Sequence, residues 1–216
     1  MFVPLRRWSL GCLGLLLAGC VAIPHPEPSP LPTNPKASAT FPARIAVLPV
    51  SNKAGGSDGA VILRAFVARK LSRDLGFLVQ KTDQTDEILN GRNLNTDIPI
   101  QVFLARSDPK DIAAWLGVDG LLHGEVLNYA KAKLSIYVQS DVKARFWLTD
   151  ITGKKIWAGE QDSGSSGFGS GSVSVDSFLT DSDLSPELRE KIHNSDLSMP
   201  AFYLVDTVFS SFPKRD

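Results

Sequence analysis

Between residues 134 and 148 apolar and polar side chains alternate with a period of two. Leu134, Ile136, Val138, Val142, Ala144, Phe146 and Leu148 fall to one side, and Ser135, Tyr137, Gln139, Asp141, Lys143, Arg145 and Trp147 to the other. A strand sends successive side chains to opposite faces, so this stretch demands a sheet with one buried face and one face left to solvent or a partner. Asp150-Ile151-Thr152-Gly153 reads as a turn, and residues 154–160 return as an antiparallel strand. Register is not fixed by this pattern, so Trp157 falls over either Phe146 or Trp147.

The chain before this hairpin alternates strands with helices. Arg44-Ile45-Ala46-Val47-Leu48-Pro49-Val50 is a continuous apolar run that fits a buried central strand ended by Pro49. Asp58 stands at a helix start, and Leu63, Val67, Leu71 and Leu75 form one stripe that Gly76 ends. Residues 77–80 read as a short strand, 83–89 as a helix, and 90–106 show no clear pattern. Ser107-Asp108-Pro109 opens another helix, since a capping carboxylate precedes a proline whose missing N–H is harmless there. Residues 118–129 are strand-like. Ser163 to Ser172 is almost wholly Gly and Ser and reads as a mobile loop. Ser185-Pro186-Glu187 starts a short helix, and Phe202, Val205, Val208 and Phe209 mark a closing one. The expected architecture is one α/β domain over 43–216, a mixed sheet with helices packed on it plus C-terminal helices.

The first 42 residues do not belong to that domain. Arg6 and Arg7, the apolar run 10–17 and the small residues Ala18 and Gly19 follow the order of a secretory leader. The run is about half of the ~20 residues a membrane-crossing helix needs. It ends in Leu17-Ala18-Gly19-Cys20, which resembles a lipobox. The expectation is a leader over 1–19, cleavage before Cys20 and lipid on its thiol, which makes the membrane the first partner. With Cys12 removed and Cys20 acylated no free thiol remains, so a disulfide and a Cys-ligated zinc site are excluded. Val21 rather than Asp follows the cysteine, which leans towards the periplasmic side of the outer membrane. Residues 20–42 carry Pro24, Pro26, Pro28, Pro30, Pro32, Pro35 and Pro42 and little to bury. They read as an extended tether with a reach of roughly 60 to 70 Å. A spacer explains this composition, and a proline-rich ligand is the sharper alternative.

Chemistry-bearing patterns are few. The leader takes Arg6 and Arg7 from the 23 basic side chains that balance 23 acidic ones, and a near-neutral chain has no footprint for nucleic acid. His25 lies in the tether and His193 in a polar helix. His123 shares a strand face with Glu125, but spacing i, i+2 supplies two metal ligands and no third, so a hydrogen-bonded structural histidine is expected. Gly164, Gly167, Gly169 and Gly171 lack the Lys-Ser or Lys-Thr of a phosphate cradle. Asp176, Asp181, Asp183 and Glu187 read as a solvated face with charges at helix N-termini. No cofactor and no catalysis are expected. Tyr137 and Trp147, aromatics on the polar strand face, are the candidate partner-binding residues unless a C-terminal helix covers them.

Three stretches resemble one superfamily, that of the TolB N-terminal domain, the curli secretion lipoprotein CsgG and the penicillin-binding-protein activator LpoB. They are Ile45-Ala46-Val47-Leu48-Pro49, the segment Leu116-Gly117-Val118-Asp119-Gly120-Leu121-Leu122-His123-Gly124-Glu125-Val126, and the hairpin Leu148-Thr149-Asp150-Ile151-Thr152-Gly153-Lys154-Lys155-Ile156-Trp157. The nearest likeness is to an uncharacterised lipoprotein branch first noted as a neisserial surface-antigen candidate. The resemblance implies a fold and an envelope address, and no active site to carry over. The expected function is an accessory lipoprotein that binds another envelope protein of transport, secretion or cell-wall machinery. A CsgG-like oligomeric secretion channel is the alternative, against which the shortness of the 154–160 return strand counts.

Overall fold

The computed structural model describes residues 41–55, 58–94, 97–134, 137–168 and 184–215, the side chains of 132–134, 137–139 and 164–168 excepted. Strand β1 (Arg44–Val47) is buried on both faces, which explains its unbroken apolar run: Ile45 and Val47 feed one core, Ala46 and Leu48 the other. After β2 (Ser51–Asn52), helix α1 (Asp58–Arg69) buries the expected stripe. It widens into a π-type turn, Lys70–Asp74, where the Leu75 N–H donates to the Lys70 carbonyl at 3.1 Å. Lys70 Nζ gathers Asp74 at 3.0 Å and Asp206 at 2.6 Å; desolvation opposes its charge, but the hydrogen bonds to Asp206 and Asp74, with their charge after them, hold its pKa up. Gly76, at φ 75°, then turns the chain into β3 (Leu78–Val79).

Helices α2 (Thr82–Arg92), α3 (Ile100–Arg106) and α4 (Pro109–Leu116) follow. The Asp108 carboxylate caps α4 by accepting the Lys110 N–H at 2.8 Å, and left-handed Gly117 ends it. Three long strands come next, β4 (Gly120–Leu134), β5 (Tyr137–Asp150) and β6 (Lys155–Phe168). The chain closes with α5 (Pro186–Asn194), capped by Ser185, and α6 (Ser198–Val208), continued by a 3₁₀ turn Phe209–Ser211.

The sheet runs β3-β1-β4-β5-β6, with β2 beside β4. Pairing is parallel among β1, β2, β3 and β4 and antiparallel through β4, β5 and β6, so the sheet is mixed as expected. Helices α1, α5 and α6 cover one face over the larger core. The smaller core on the other face, under α2 and α4, takes residues from β1 and β4 and none from β5 or β6. The domain is therefore three layers thick over β3-β1-β4 and two layers thick over β5-β6.

Several expectations are corrected. Residues 134–148 are not one strand, because β4 ends at Leu134 and β5 begins at Tyr137, its antiparallel partner. Cross-strand partners share a face, so Leu134 falls on the side of Tyr137 and not with Val142, Ala144, Phe146 and Leu148, and the single apolar face expected over 134–148 is corrected to the β5 residues alone. The return strand does not stop at 160, and the Gly/Ser tract is not a loop throughout: 163–168 continue the β5-β6 ladder. Backbone N–H and C=O groups make that ladder, so it does not require bulky side chains. Residues 169–172 lie outside the described residues. The register is settled with Leu148 opposite Trp157 and Phe146 opposite Gly159, which puts Trp157 on the core face with Phe146. A Cβ on Gly159 would meet Val208 Cγ1 at 2.8 Å and the Trp157 ring at 3.0 Å, so glycine is what lets α6 and the indole close over the strand.

Candidate functional site: the uncovered sheet face

Because α5 and α6 pack on the Phe146–Trp157 side, no described helix covers the opposite face of β5-β6, and α4 reaches that face of β4 only at its start, over Leu121. Three cross-strand rows lie on this face. In the first, His123 of β4 is in register with Trp147 of β5, and their rings stack at 5.2 Å and 3°. Lys155 Nζ lies 5.5 Å from the Trp147 ring centroid. Stacked and cation–π contacts of this kind contribute about 0.5–1.5 kcal/mol each. His123 Nε2 is 3.1 Å from the Thr149 hydroxyl, which itself donates to the Leu121 carbonyl at 3.4 Å.

The second row is Glu125, Arg145 and Glu160 across β4, β5 and β6. Glu125 is buried, and Arg145 Nε donates to its Oε2 at 2.5 Å while Lys53 approaches Oε1 at 3.7 Å. The third row holds Lys143, 3.3 Å from Glu160, with Asp141 and Asp162 beside it. The hydrogen bond that protonated Asp162 donates to Asp141 and, less strongly, desolvation push the Asp162 carboxyl up. The face is thus an aromatic centre flanked by exposed charges of both signs.

The sequence candidates fare unequally. Trp147 is on this face but is not a bare ring, since His123 and Lys155 both contact it. Tyr137 is ten residues away along β5, roughly 33 Å of strand, so the two do not form one anchor; its side chain and Cys20 lie outside the described residues. Glu125 is committed to Arg145, and no cluster of three or more His, Cys, Asp or Glu that could hold a metal occurs among the described residues. Glu187 sits in the first turn of α5, while Asp176, Asp181 and Asp183 lie outside the described residues. Sequence reasoning missed Lys155, Thr149 and the Glu125–Arg145 pair, which only the strand register brings together.

An open cleft of about 560 Å³ lies on the other side, between α1 and α5, with Asp58, Tyr129, Glu187 and Lys191 in its lining. Tyr129 Oη is 2.9 Å from Ser195 Oγ, and burial pushes the phenol pKa up.

Burial, and after it the charge of Lys155, lowers the His123 pKa from 6.5 to about 4. The folded imidazole therefore stays neutral while the unfolded chain takes up the proton. Its contribution to stability is present above pH 6.5 and is lost as the pH falls from 6.5 towards 4, a loss bounded at about 3 kcal/mol. His123→Asn is expected to flatten this dependence. Urea midpoints measured at neutral and mildly acidic pH check it, and equal slopes in the two proteins would show that His123 is not held neutral by the fold.

Sequence comparison finds no matching family model and no matching curated protein. The folded domain does have solved counterparts. It shares its fold with a bacterial lipoprotein. Lipoprotein GNA1162 from Neisseria meningitidis is similar at 21% identity and a TM-score of 0.54, over 71% of this chain and 100% of that one. A PelC dodecamer from Paraburkholderia phytofirmans (16% identity, TM-score 0.46, 80% of this chain and 89% of that one) is a more distant likeness. So is the LpoB C-terminal domain from Salmonella enterica (16% identity, TM-score 0.39, 58% and 85%). The first supports the α/β architecture expected from the sequence; the other two are too distant to bear on function or assembly.

Proposed function

We propose that this chain is a lipid-anchored, periplasm-facing lipoprotein of the outer membrane, related to the TolB, CsgG and LpoB group, that binds another envelope protein and catalyses no reaction. The observation that carries the binding role is the face of β5-β6 and the adjoining part of β4 that no described helix covers. An aromatic centre with a mixed-charge rim is the composition of a polar, specific interface. Lipid on Cys20 would hold this face at the membrane, and the fold shared with GNA1162 accords with a lipoprotein.

One observation favours the secretion-channel alternative. Strands of 14 or 15 residues exceed the 9–11 that a transmembrane hairpin needs. Composition argues against it, because a membrane-facing band is apolar on one face. Here Lys131 stands on the helix-covered side, paired with Asp196, while Asp141, Lys143 and Asp162 occupy the other.

Photo-crosslinking residues placed at Lys143 and Glu160, on the open face, and at Ser72 and Ser210, on the helix side, test the proposal in cells. The expected result is one adduct of constant mass from the open face alone, weakened roughly tenfold, about 1.4 kcal/mol, by Lys155→Glu. Adducts from the helix side alone would overturn the assignment. A ladder of multiples of the chain's own mass would favour the oligomeric channel.

A further inference from the structure

The open face has two unlike halves. Six cross-strand rows run along β5 from Trp147 to Tyr137 with no described helix over them. At the Trp147 end they are bulky, with His123 beside Trp147 in the first and Glu125, Arg145 and Glu160 in the second. Towards the hairpin end they shrink. Ala130 and Gly164 flank Asp141 in the fourth, and Ala132 and Ser166 flank Gln139 in the fifth. The sixth, Leu134, Tyr137 and Phe168, is apolar and aromatic again.

Each half complements the other. The midpoint falls at Val142, between Asp141 and Lys143. A two-fold axis through that point, lying between two copies and across their strands, sets the first row on the sixth, the second on the fifth and the third on the fourth. Aligned sheets stack about 10 Å apart, too close for long side chains to oppose long ones. In this arrangement Glu125 of one copy lies over Ala132 of the other and Glu160 over Ser166, so bulk meets space. Trp147 meets Tyr137, an aromatic pair at each end.

Charge agrees with shape. In the middle, Lys143 of each copy faces Asp141 of the other. Glu160, at 3.3 Å, takes one of the three donors of the Lys143 ammonium. Asp141 accepts from the Asn128 amide and stands against a second carboxylate, Asp162, and it has no ion-pair partner among the described residues. The fold also sets where such a pair stops. Helix α4 reaches this face over Leu121, one row beyond Trp147, and the ribbon of a second copy ends just beyond its Tyr137. Gly120, beside the Asp119 carboxylate that accepts the Arg44 N–H, is in register with Asp150, eight residues from the midpoint. The two tethers thus enter about sixteen residues of strand apart, roughly 50 Å, a span that their length covers from one membrane.

We propose that in the free protein this face is closed by the same face of a second copy, antiparallel about the two-fold axis, and that the envelope partner takes the second copy's place. The inference rests on the reading of this face as the partner-binding surface. A footprint of roughly 14 Å by 33 Å, three strands by six rows, is at the small end for a specific interface, which makes the pair weak enough to be displaced.

The test is sedimentation velocity, across concentration, of the purified chain without its leader and with Cys20→Ser. A reversible dimer is expected, with a dissociation constant on the order of 10 µM. Lys143→Asp and Asp141→Lys each set like charges against one another at two places in the dimer and should weaken it by about tenfold or more. Mixed one to one, the two variants put opposite charges back at both places, so the mixture should recover a dimer within about threefold of the original affinity. Misfolding of either variant cannot produce that recovery. A chain still monomeric at ~200 µM overturns the proposal, as does a mixture that associates no better than its components. A dimer indifferent to both reversals uses another surface and overturns it too. The partner-binding reading fails separately: the absence of any foreign adduct from Lys143 and Glu160 in cells would overturn the displacement while the pairing of the purified chain stands.

Discussion

Cys20→Ser is expected to abolish membrane attachment, leaving an unprocessed, unlipidated chain outside the membrane fraction. The effect is close to all-or-none. One acyl chain binds a bilayer only reversibly, with a constant of about 10⁴ M⁻¹, whereas two or three chains on one cysteine hold it for practical purposes permanently. No helix among the described residues is long and apolar enough to cross a membrane in compensation. Fractionation combined with intact mass checks the outcome. A variant chain cut directly after Gly19 and still retained by membranes would show that the leader is an ordinary one and that something else holds the protein.

The second large effect is in the core. Phe209 is fully buried where the C-terminal helix meets the sheet, with ring centroids 5.6 Å from Phe146, 4.9 Å from Trp157 and 5.3 Å from Phe212. Truncating such a ring removes its transfer energy and leaves a cavity between three aromatics that cannot collapse together. Phe209→Ala is expected to cost about 3–5 kcal/mol, a large share of the ~5–15 kcal/mol that holds a domain of this kind folded. Tyr203→Ala, two turns earlier on the exposed side of α6, should change stability by less than about 0.5 kcal/mol. Urea unfolding of both variants separates the cases. A Phe209→Ala cost close to that of the control would mean that α6 and its terminal turn do not unfold with the sheet.

What could be read in advance was local chemistry. The α1 stripe, the Asp108 cap with Gly117, and the Asp150 turn each depend on residues a few positions apart, and each stands where the pattern puts it; the Asp150 carboxylate accepts from the Thr152 N–H at 2.8 Å and the Lys154 N–H at 3.1 Å. The α/β architecture followed from these pieces. Three things were not legible. Helix α3 is shorter than two full turns, too few for a period to emerge. The reversal after Leu134 and the Gly/Ser half of β6 are made by backbone pairing, which leaves no mark on side-chain type. The character of the open face depends on register: Trp147 is visible as an aromatic among polar neighbours, but its stacking on His123 and the contact with Lys155 follow from the alignment of β4, β5 and β6 and from the bulge between Leu148 and Thr149. That the C-terminal helices take the other face is likewise a tertiary fact, decided by where Phe146 and Trp157 point.

Phe41, Phe77 and Phe212 pack with ring centroids 5.4 to 6.0 Å apart, and the Arg215 N–H donates to the Leu75 carbonyl at 3.0 Å. Both ends of the domain are therefore stitched together where β1 begins. For a chain held at its front end this decides how force travels. A pull on the tether enters along β1, which has parallel neighbours on both sides, so the load runs lengthwise and strains its ladder bonds in shear, all at once, instead of peeling them one by one. The aromatic clasp at the entry must open before β1 can slide. β4, the first strand of the long hairpin, is one of those neighbours, so a pull along β1 passes directly into the strands that carry the open face.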